Sequence, residues 1–141
     1  LTLYAFPRPV VMGCSGHAVG LGVFLLCCAD YRFAVKGDFK VHANEVVNGM
    51  FIPPHMLHIA ESRILKSHSN RLLLNGEPYP IEKTIDTGLV DELVDASDLD
   101  AKVIERAHHL CVCQHPFYEK TKLISRRAVI QKSRASLDDA F

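Results

Sequence analysis

Apolar and polar positions change their period several times along the chain, and each change marks an element. The opening LTLYAFPRP reads as the tail of a helix stopped by Pro7 and Pro9, because a proline pushes the residue before it out of the helical region. Val10, Val11 and Met12 form a short apolar run that predicts a buried strand. A loop follows over Gly13 to Ala18. From about Gly20 to Cys28 every position is apolar, which predicts a helix buried on all its faces. Tyr31 to Val35 predicts a second strand, Lys36-Gly37-Asp38 a turn, and Phe39 to Val41 renewed extended structure.

The pattern then turns helical. Asn44 to Ile52 reads as a loop or short helix, and Pro53 and Pro54 open another helix, proline being suited to a first turn. Ser69 to Leu74 predicts a helix closed by Asn75 and Gly76, and Pro80 opens a short one stopped by Gly88. LVDELV follows as a strand. Ser97, with Asp100 three residues on, forms a weak capping box for a helix over 98–113. The predicted apolar stripe of that helix is Leu99, Val103, Ile104, Ala107, Leu110 and Cys111. Pro116 starts the last long helix, with Leu123, Ile124, Ala128 and Gln131 as its predicted inner face. Strand–helix–strand first and nearly all helix later predicts an α/β core with a helical appendix.

Composition sharpens this picture in three places. At 141 residues and 48% apolar, the chain makes at most one ordinary domain with a real core. Lys plus Arg and Asp plus Glu are equal at 16 each, so no overall field favours nucleic acid or an acidic partner. The late basic residues Lys120, Lys122, Arg126, Arg127, Lys132 and Arg134 read as the wet side of a helix. No apolar run is long enough to span a membrane, and no partner role for nucleic acid or membrane is expected.

The five cysteines and eight histidines do not fall into metal-ligand spacing. Cys27 and Cys28 are adjacent and Cys111 and Cys113 are two apart, neither of which suits a zinc knuckle. His55 and His58 share a helix face but lack a carboxylate to complete a ligand set. No metal is expected. Free thiols imply a reducing compartment, the cytoplasm or another such as a mitochondrial or peroxisomal lumen.

Three ordered stretches carry a family resemblance. RPVVMGCSGHAVGLGVFLLCCADYRFAV, FKVHANEVVNGMFIP and RLLLNGEPYPIEKTIDTGLVDELV resemble, in sequence and spacing, the enoyl-CoA hydratase/isomerase family, the crotonase superfamily. The first looks like that family's glycine-bearing loop leading into an apolar helix and C-D strand, the second its F-x-x-P-E-V segment, and the third its L-x-L-T-G segment. The resemblance implies an α/β, crotonase-like spiral of repeated ββα units. Residues 1–94 would be the later portion of that core and residues 95–141 a C-terminal helical region that serves oligomerisation. The family domain begins earlier than this chain does, so a longer chain or a partner would supply the first part.

The resemblance also implies a chemistry. Family members bind acyl-CoA thioesters and hold an enolate oxygen between two backbone N–H groups, an oxyanion hole of fixed donors. Here one donor falls on the Leu21 N–H in Gly20-Leu21-Gly22, just inside a helix N-terminus, where the dipole favours negative charge. The second donor belongs to the part of the family domain that precedes this stretch. Hydratases of the family place two glutamates around the substrate. Phe24 occupies one of those positions and cannot accept a proton. Glu45 occupies the other, with Asn44 where proline is usual. A lone carboxylate resembles the family's isomerases, in which one base carries a proton from the α- to the γ-carbon of a 3-enoyl thioester. Leu21 and Glu45 are therefore the expected catalytic residues, with Gly20, Gly22, Phe24, Asn44 and Pro54 against the substrate. IPPHML replaces the family's glycine-rich loop, implying a reshaped acyl pocket; His55 reads as a helix-surface residue.

No cofactor is expected beyond the CoA carried by the substrate, and a homotrimer or hexamer is implied. The alternatives are a hydratase adding water to 2-enoyl-CoA and a non-catalytic acyl-CoA-binding or assembly protein.

Overall fold

The computed structural model describes residues 1–138. The expected helix tail at the start is a single turn in which Ala5 N–H donates to Leu1 O at 2.9 Å, ahead of Pro7. Strand β1 (Val11–Cys14) follows, then the two-residue β2 (Ala18–Val19) and helix α1 (Leu21–Cys28). Strand β3 (Tyr31–Val35) returns beside β1 in parallel, Val11 opposite Tyr31 and Cys14 opposite Ala34. Parallel neighbours need a crossover, and α1 lies within it. Strand β6 (Glu92–Val94) pairs with the other edge of β3, giving a sheet of order β1-β3-β6.

A second small sheet has the order β2-β4-β5, with β4 (Lys40–His42) parallel to β2 and antiparallel to β5 (Tyr79–Pro80). Between the last two lie α2 (Pro54–Glu61) and α3 (Lys66–Ser69), which continues into a π-helical turn over Asn70–Leu74. Phe33, Leu72, Leu73, Ile81 and Leu89 are the largest fully buried side chains. The short helix expected after Pro80 is a 3-10 turn, Ile81–Lys83, and the strand expected from Leu89 onward forms only from Glu92.

Two helices complete the chain. Helix α4 (Leu99–His109) packs on β1 and β3, and the long α5 (Pro116–Asp138) lies along α2. The close seat of α4 explains Gly13: a Cβ there would stand 3.0 Å from Val103 Cγ2 and 3.1 Å from Leu99 Cδ1. The last residues of the 95–141 region lie outside the described residues.

The structure corrects four expectations. Ser97 does not cap α4; Asp98 stands at the N-cap without a side-chain cap bond, and Ser97 Oγ donates to Asp98 Oδ1. Of the predicted α4 stripe only Leu99 is buried; Val103 and Leu110 are half-buried, while Ile104, Ala107 and Cys111 face outward. Helix α1 is not buried all round: Leu21 and Leu25, one turn apart, are exposed. The inner face of α5 is Lys122, Arg126, Ile130 and Ser133, whereas Leu123, Ile124, Ala128 and Gln131 are exposed.

The last correction has a clear cause. Asp30, in the α1–β3 turn, accepts from Arg126 Nη2 at 2.7 Å, from Lys122 Nζ, and from Val10 N–H at 2.8 Å. The Arg126 guanidinium also lies over the Tyr4 ring, 4.4 Å from its centre. Charges are buried only when paired, and one carboxylate in the right turn brings two basic residues inward.

A second ion pair fixes β3 against the loop before β6. Arg32 is buried and grips Asp91 through Nε at 2.9 Å and Nη2 at 3.0 Å; its Nη1 donates to Gly88 O. Among the described residues no helix is long and apolar enough to cross a membrane, and no three His, Cys, Asp or Glu side chains converge as a metal site. All five cysteines are free.

Candidate active site

The parallel pairing of β2 with β4 builds the site. Ala18 lies opposite Val41 and Val19 opposite His42, and Gly20 N–H continues the ladder by donating to His42 O at 2.9 Å. Both strands end at this level. One chain turns into α1 at Gly20; the other runs through Ala43 into Asn44 and Glu45. Neighbours on two strands thus become neighbours at the mouth of a helix.

Gly20 makes the sharp entry possible. Its φ of 53° and ψ of −121° belong to a region that residues with a Cβ avoid. A Cβ on Gly20 would stand 3.2 Å from Glu45 Oε1 and 3.3 Å from Asn44 Oδ1. Asn44 and Glu45 therefore turn their side-chain oxygens toward this glycine. Glu45 Oε2 is buried and has no hydrogen-bond partner among the described residues. A buried carboxylate oxygen left without a donor is costly, and such groups mark places where a ligand or a proton is handled.

Leu21 is the first residue of α1, so its N–H has no acceptor one turn back in the helix. Its residue is 56% exposed, so the mouth of α1 is open. The amide beside it is already committed, Gly20 N–H to His42 O. One free N–H at the positive end of a helix, with a carboxylate beside the preceding residue, is an arrangement that can stabilise a developing oxyanion and move a proton next to it.

The remaining expected residues are placed less uniformly. Gly22 follows in the first turn, and a Cβ there would meet Ala18 Cβ at an ordinary 3.6 Å, so no steric need for glycine exists at that position. Phe24 is 3% exposed and belongs to the hydrophobic core; it packs behind the mouth of α1 rather than standing in it. Pro54 occupies the first turn of α2, exposed, with α2 packed on α1. His55 is half-buried, and burial, followed by nearby positive charge, lowers its pKa from the ordinary value. Its neighbour one turn on, His58, has a buried Nδ1 with no partner among the described residues.

Sequence reasoning passed over His42. Its backbone oxygen holds Gly20, and its ring Nε2 lies 2.8 Å from Gly76 O, tying the site to the loop before β5. A lone histidine in a short strand carried no signal for this. The segment expected as a loop or short helix over Asn44 to Ile52 holds a 3-10 turn, Val46–Asn48, and beside Glu45 it exposes Val46, Val47, Met50 and Phe51, the last 77% exposed. The described cavities lie elsewhere, and none is lined by Leu21 or Glu45.

Known proteins share the sequence family and the fold. The family profile described as enoyl-CoA hydratase/isomerase matches residues 1–137. A probable enoyl-CoA hydratase of Mycobacterium avium is 31% identical over 97 residues, which is 67% of this chain and 37% of that protein. This chain thus spans well under half the length of that curated relative. Among solved structures, an enoyl-CoA isomerase of Mycobacterium tuberculosis superposes with a TM-score of 0.91 at 31% identity, covering 97% of this chain and 60% of that one. An enoyl-CoA hydratase/isomerase family protein of Pseudomonas syringae superposes with a TM-score of 0.93 at 32% identity, over 98% of this chain and 60% of that one. The expected fold class, a crotonase-like α/β core followed by helices, is the fold these overlaps show. Over nearly its whole length, then, this chain belongs to the enoyl-CoA hydratase/isomerase family.

Proposed function

We propose that the protein acts on acyl-CoA thioesters, with the Leu21 N–H donating a hydrogen bond to the thioester oxygen as negative charge grows on it and Glu45 moving the proton. The observation that carries this reading is the Glu45 carboxylate, one oxygen turned toward Gly20 and the other buried without a partner. Phe24, apolar and buried, offers no second acid–base group on α1. A single base suits isomerisation: Glu45 takes a proton from the α-carbon of a 3-enoyl thioester and returns it to the γ-carbon, the double bond shifting by one position. Water addition is better served by two carboxylates. The reaction needs no cofactor beyond the CoA carried by the substrate. Asn44, with its side-chain oxygen beside Gly20, stands where it can contact the thioester end, and Gly20, Gly22 and Pro54 frame that approach.

The test supplies purified protein with 3-enoyl-CoA and 2-enoyl-CoA separately. Conversion of the 3-enoyl substrate to its 2-enoyl isomer, lost in Glu45→Gln, is the expected result. Consumption of only the 2-enoyl substrate, with water incorporated, contradicts isomerisation and favours a hydratase.

A second reading, binding or assembly without turnover, is favoured by the exposed Val46, Val47, Met50 and Phe51 beside Glu45. It predicts stabilisation by acyl-CoA with no conversion of either substrate. For assembly we propose a homotrimer or hexamer, supported by the outward apolar residues Ile104, Val112 and Phe117 of the C-terminal region. Light scattering on the eluted protein gives its mass directly, and a monomer would contradict the assembly.

A further inference from the structure

The α1–β3 turn, the residues just after α2 and the first half of α5 line an open cavity of about 250 Å³. Three cations line it, Arg63, Lys122 and Arg126, against one carboxylate, Asp30, so three positive charges against one negative leave a surplus of two. Lys122 and Arg126 are more than nine-tenths buried, at 7% and 8% exposure. Surplus charge of one sign in such a place calls for a counter-ion.

The hydrogen bonds point the same way. Both Asp30 oxygens are taken, Oδ1 by Arg126 and Oδ2 by Val10 and Lys122. Lys122 spends two of its three N–H donors, on Arg8 O and Asp30. Arg63 Nη2 donates to Ala29 O at 2.9 Å, while its Nε is buried and has no partner among the described residues. Thr121 and Ser125 add hydroxyls to the same wall. The cavity is therefore rich in unused donors, and its acceptor is fully engaged. Burial lowers the pKa of both Lys122 and Arg63; Asp30 opposes the shift at Lys122, and the neighbouring arginine charges add to it at both.

We propose that this cavity binds an oxyanion of the phosphate class, held by Arg63, the remaining Lys122 N–H and the hydroxyls of Thr121 and Ser125. It is separate from the Glu45 corner. Asp30 lies beyond the C-terminal end of α1 and Gly20 at its start, and eight helical residues span about 12 Å. Free phosphate and a phosphate monoester share the required chemistry. An anion here would bridge α5 to the core and tighten its hold.

The test titrates the protein with inorganic phosphate and, in parallel, with glycerol phosphate, by calorimetry and thermal melting, against chloride at matched ionic strength. The expected result is saturable binding of at least one phosphate species and a melting shift that chloride does not give. Whichever species binds more tightly names the source. Arg63→Gln should weaken binding about tenfold or more, the loss of one charge-assisted bond. Because Arg63 also holds Ala29, a second variant with Thr121→Ala and Ser125→Ala, both at exposed positions, keeps the fold and should weaken it as well. Glu45→Gln should leave phosphate binding unchanged. Equal effects of chloride and phosphate, or wild-type affinity in the folded hydroxyl variant, would overturn the proposal.

Discussion

Glu45 and Gly20 lie against each other at the mouth of α1, so closely that a single added carbon on Gly20 would stand 3.2 Å from the Glu45 carboxylate. The contact follows from β2 and β4 ending side by side. Helix entry and acid are therefore held by backbone pairing, with no flexible linker between them.

That closeness makes Gly20→Ala a sensitive probe. The added methyl meets two side-chain oxygens, and the φ of 53° is unfavourable to any residue with a Cβ. The expected cost is about 1–3 kcal/mol of folding stability, read by urea denaturation, together with displacement of Glu45 and loss of turnover. A variant as stable and as active as wild type would show that the turn relaxes freely.

Leu21→Pro removes the N–H and an exposed side chain. The restriction that proline puts on the residue before it falls on Gly20, a glycine already outside the helical region. Proline is accepted at the first position of a helix, and the first amides of a helix lack intrahelical partners in any case. Circular dichroism and the melting midpoint should stay close to wild type, while turnover falls about 10²–10³-fold, the usual effect of losing one oxyanion donor. Equal loss of helix and activity would leave the donor role without support.

Asp30→Asn should loosen α5. Lys122 and Arg126 would remain buried without their counter-charge, at a cost of about 3 kcal/mol. Hydrogen exchange over residues 116–138 should accelerate more than exchange over β1 and β3. Uniform acceleration across the chain would show that the pair stabilises the whole domain rather than one helix.

This ion cluster also shows where the sequence was opaque. The last helix was plain from its opening proline and its length, but its inner face was not, because a hydrophobic pattern cannot see that Asp30 draws Lys122 and Arg126 inward from more than ninety positions away. For α1 the difficulty was opposite. A helix apolar at every position has no period, so nothing marked Leu21 and Leu25 as its open side. The two-residue strands β2 and β5 are too short to show alternation. The Ser97 box failed because Asp98 itself took the cap position. By contrast, the glycines around position 20, the placement of Glu45 and the order of elements were legible, because ordered motifs carry spacing as well as residue type.

Stability should fall in alkali, chiefly through Cys27. Burial pushes this thiol from an ordinary 9.0 up to about 12. Below pH 9 the thiol is protonated in both folded and unfolded chains, and its contribution is whole. As pH rises from 9 toward 12 only the unfolded chain releases the proton, so unfolding is favoured by up to about 1.4 kcal/mol per pH unit. Tyr118, raised from 10.0 to about 12 first by burial and then by the Asp30 charge, acts in the same direction above pH 10. Lys122, lowered chiefly by burial, acts in the opposite direction below 10.5, since the unfolded chain holds that proton longer. Urea midpoints from pH 8 to 11 should decline in wild type and decline less steeply in Cys27→Ala. Equal slopes would remove the thiol from the account.

The most direct measurement follows one atom. A 3-enoyl-CoA carrying deuterium at the α-carbon is given to the protein, and the 2-enoyl product is examined by mass spectrometry and NMR. If one carboxylate carries the proton between carbons, part of the deuterium reappears at the γ-carbon, and Glu45→Gln abolishes both transfer and turnover. A product whose γ-hydrogen comes wholly from solvent at the earliest times, or label transfer undiminished in Glu45→Gln, would contradict it.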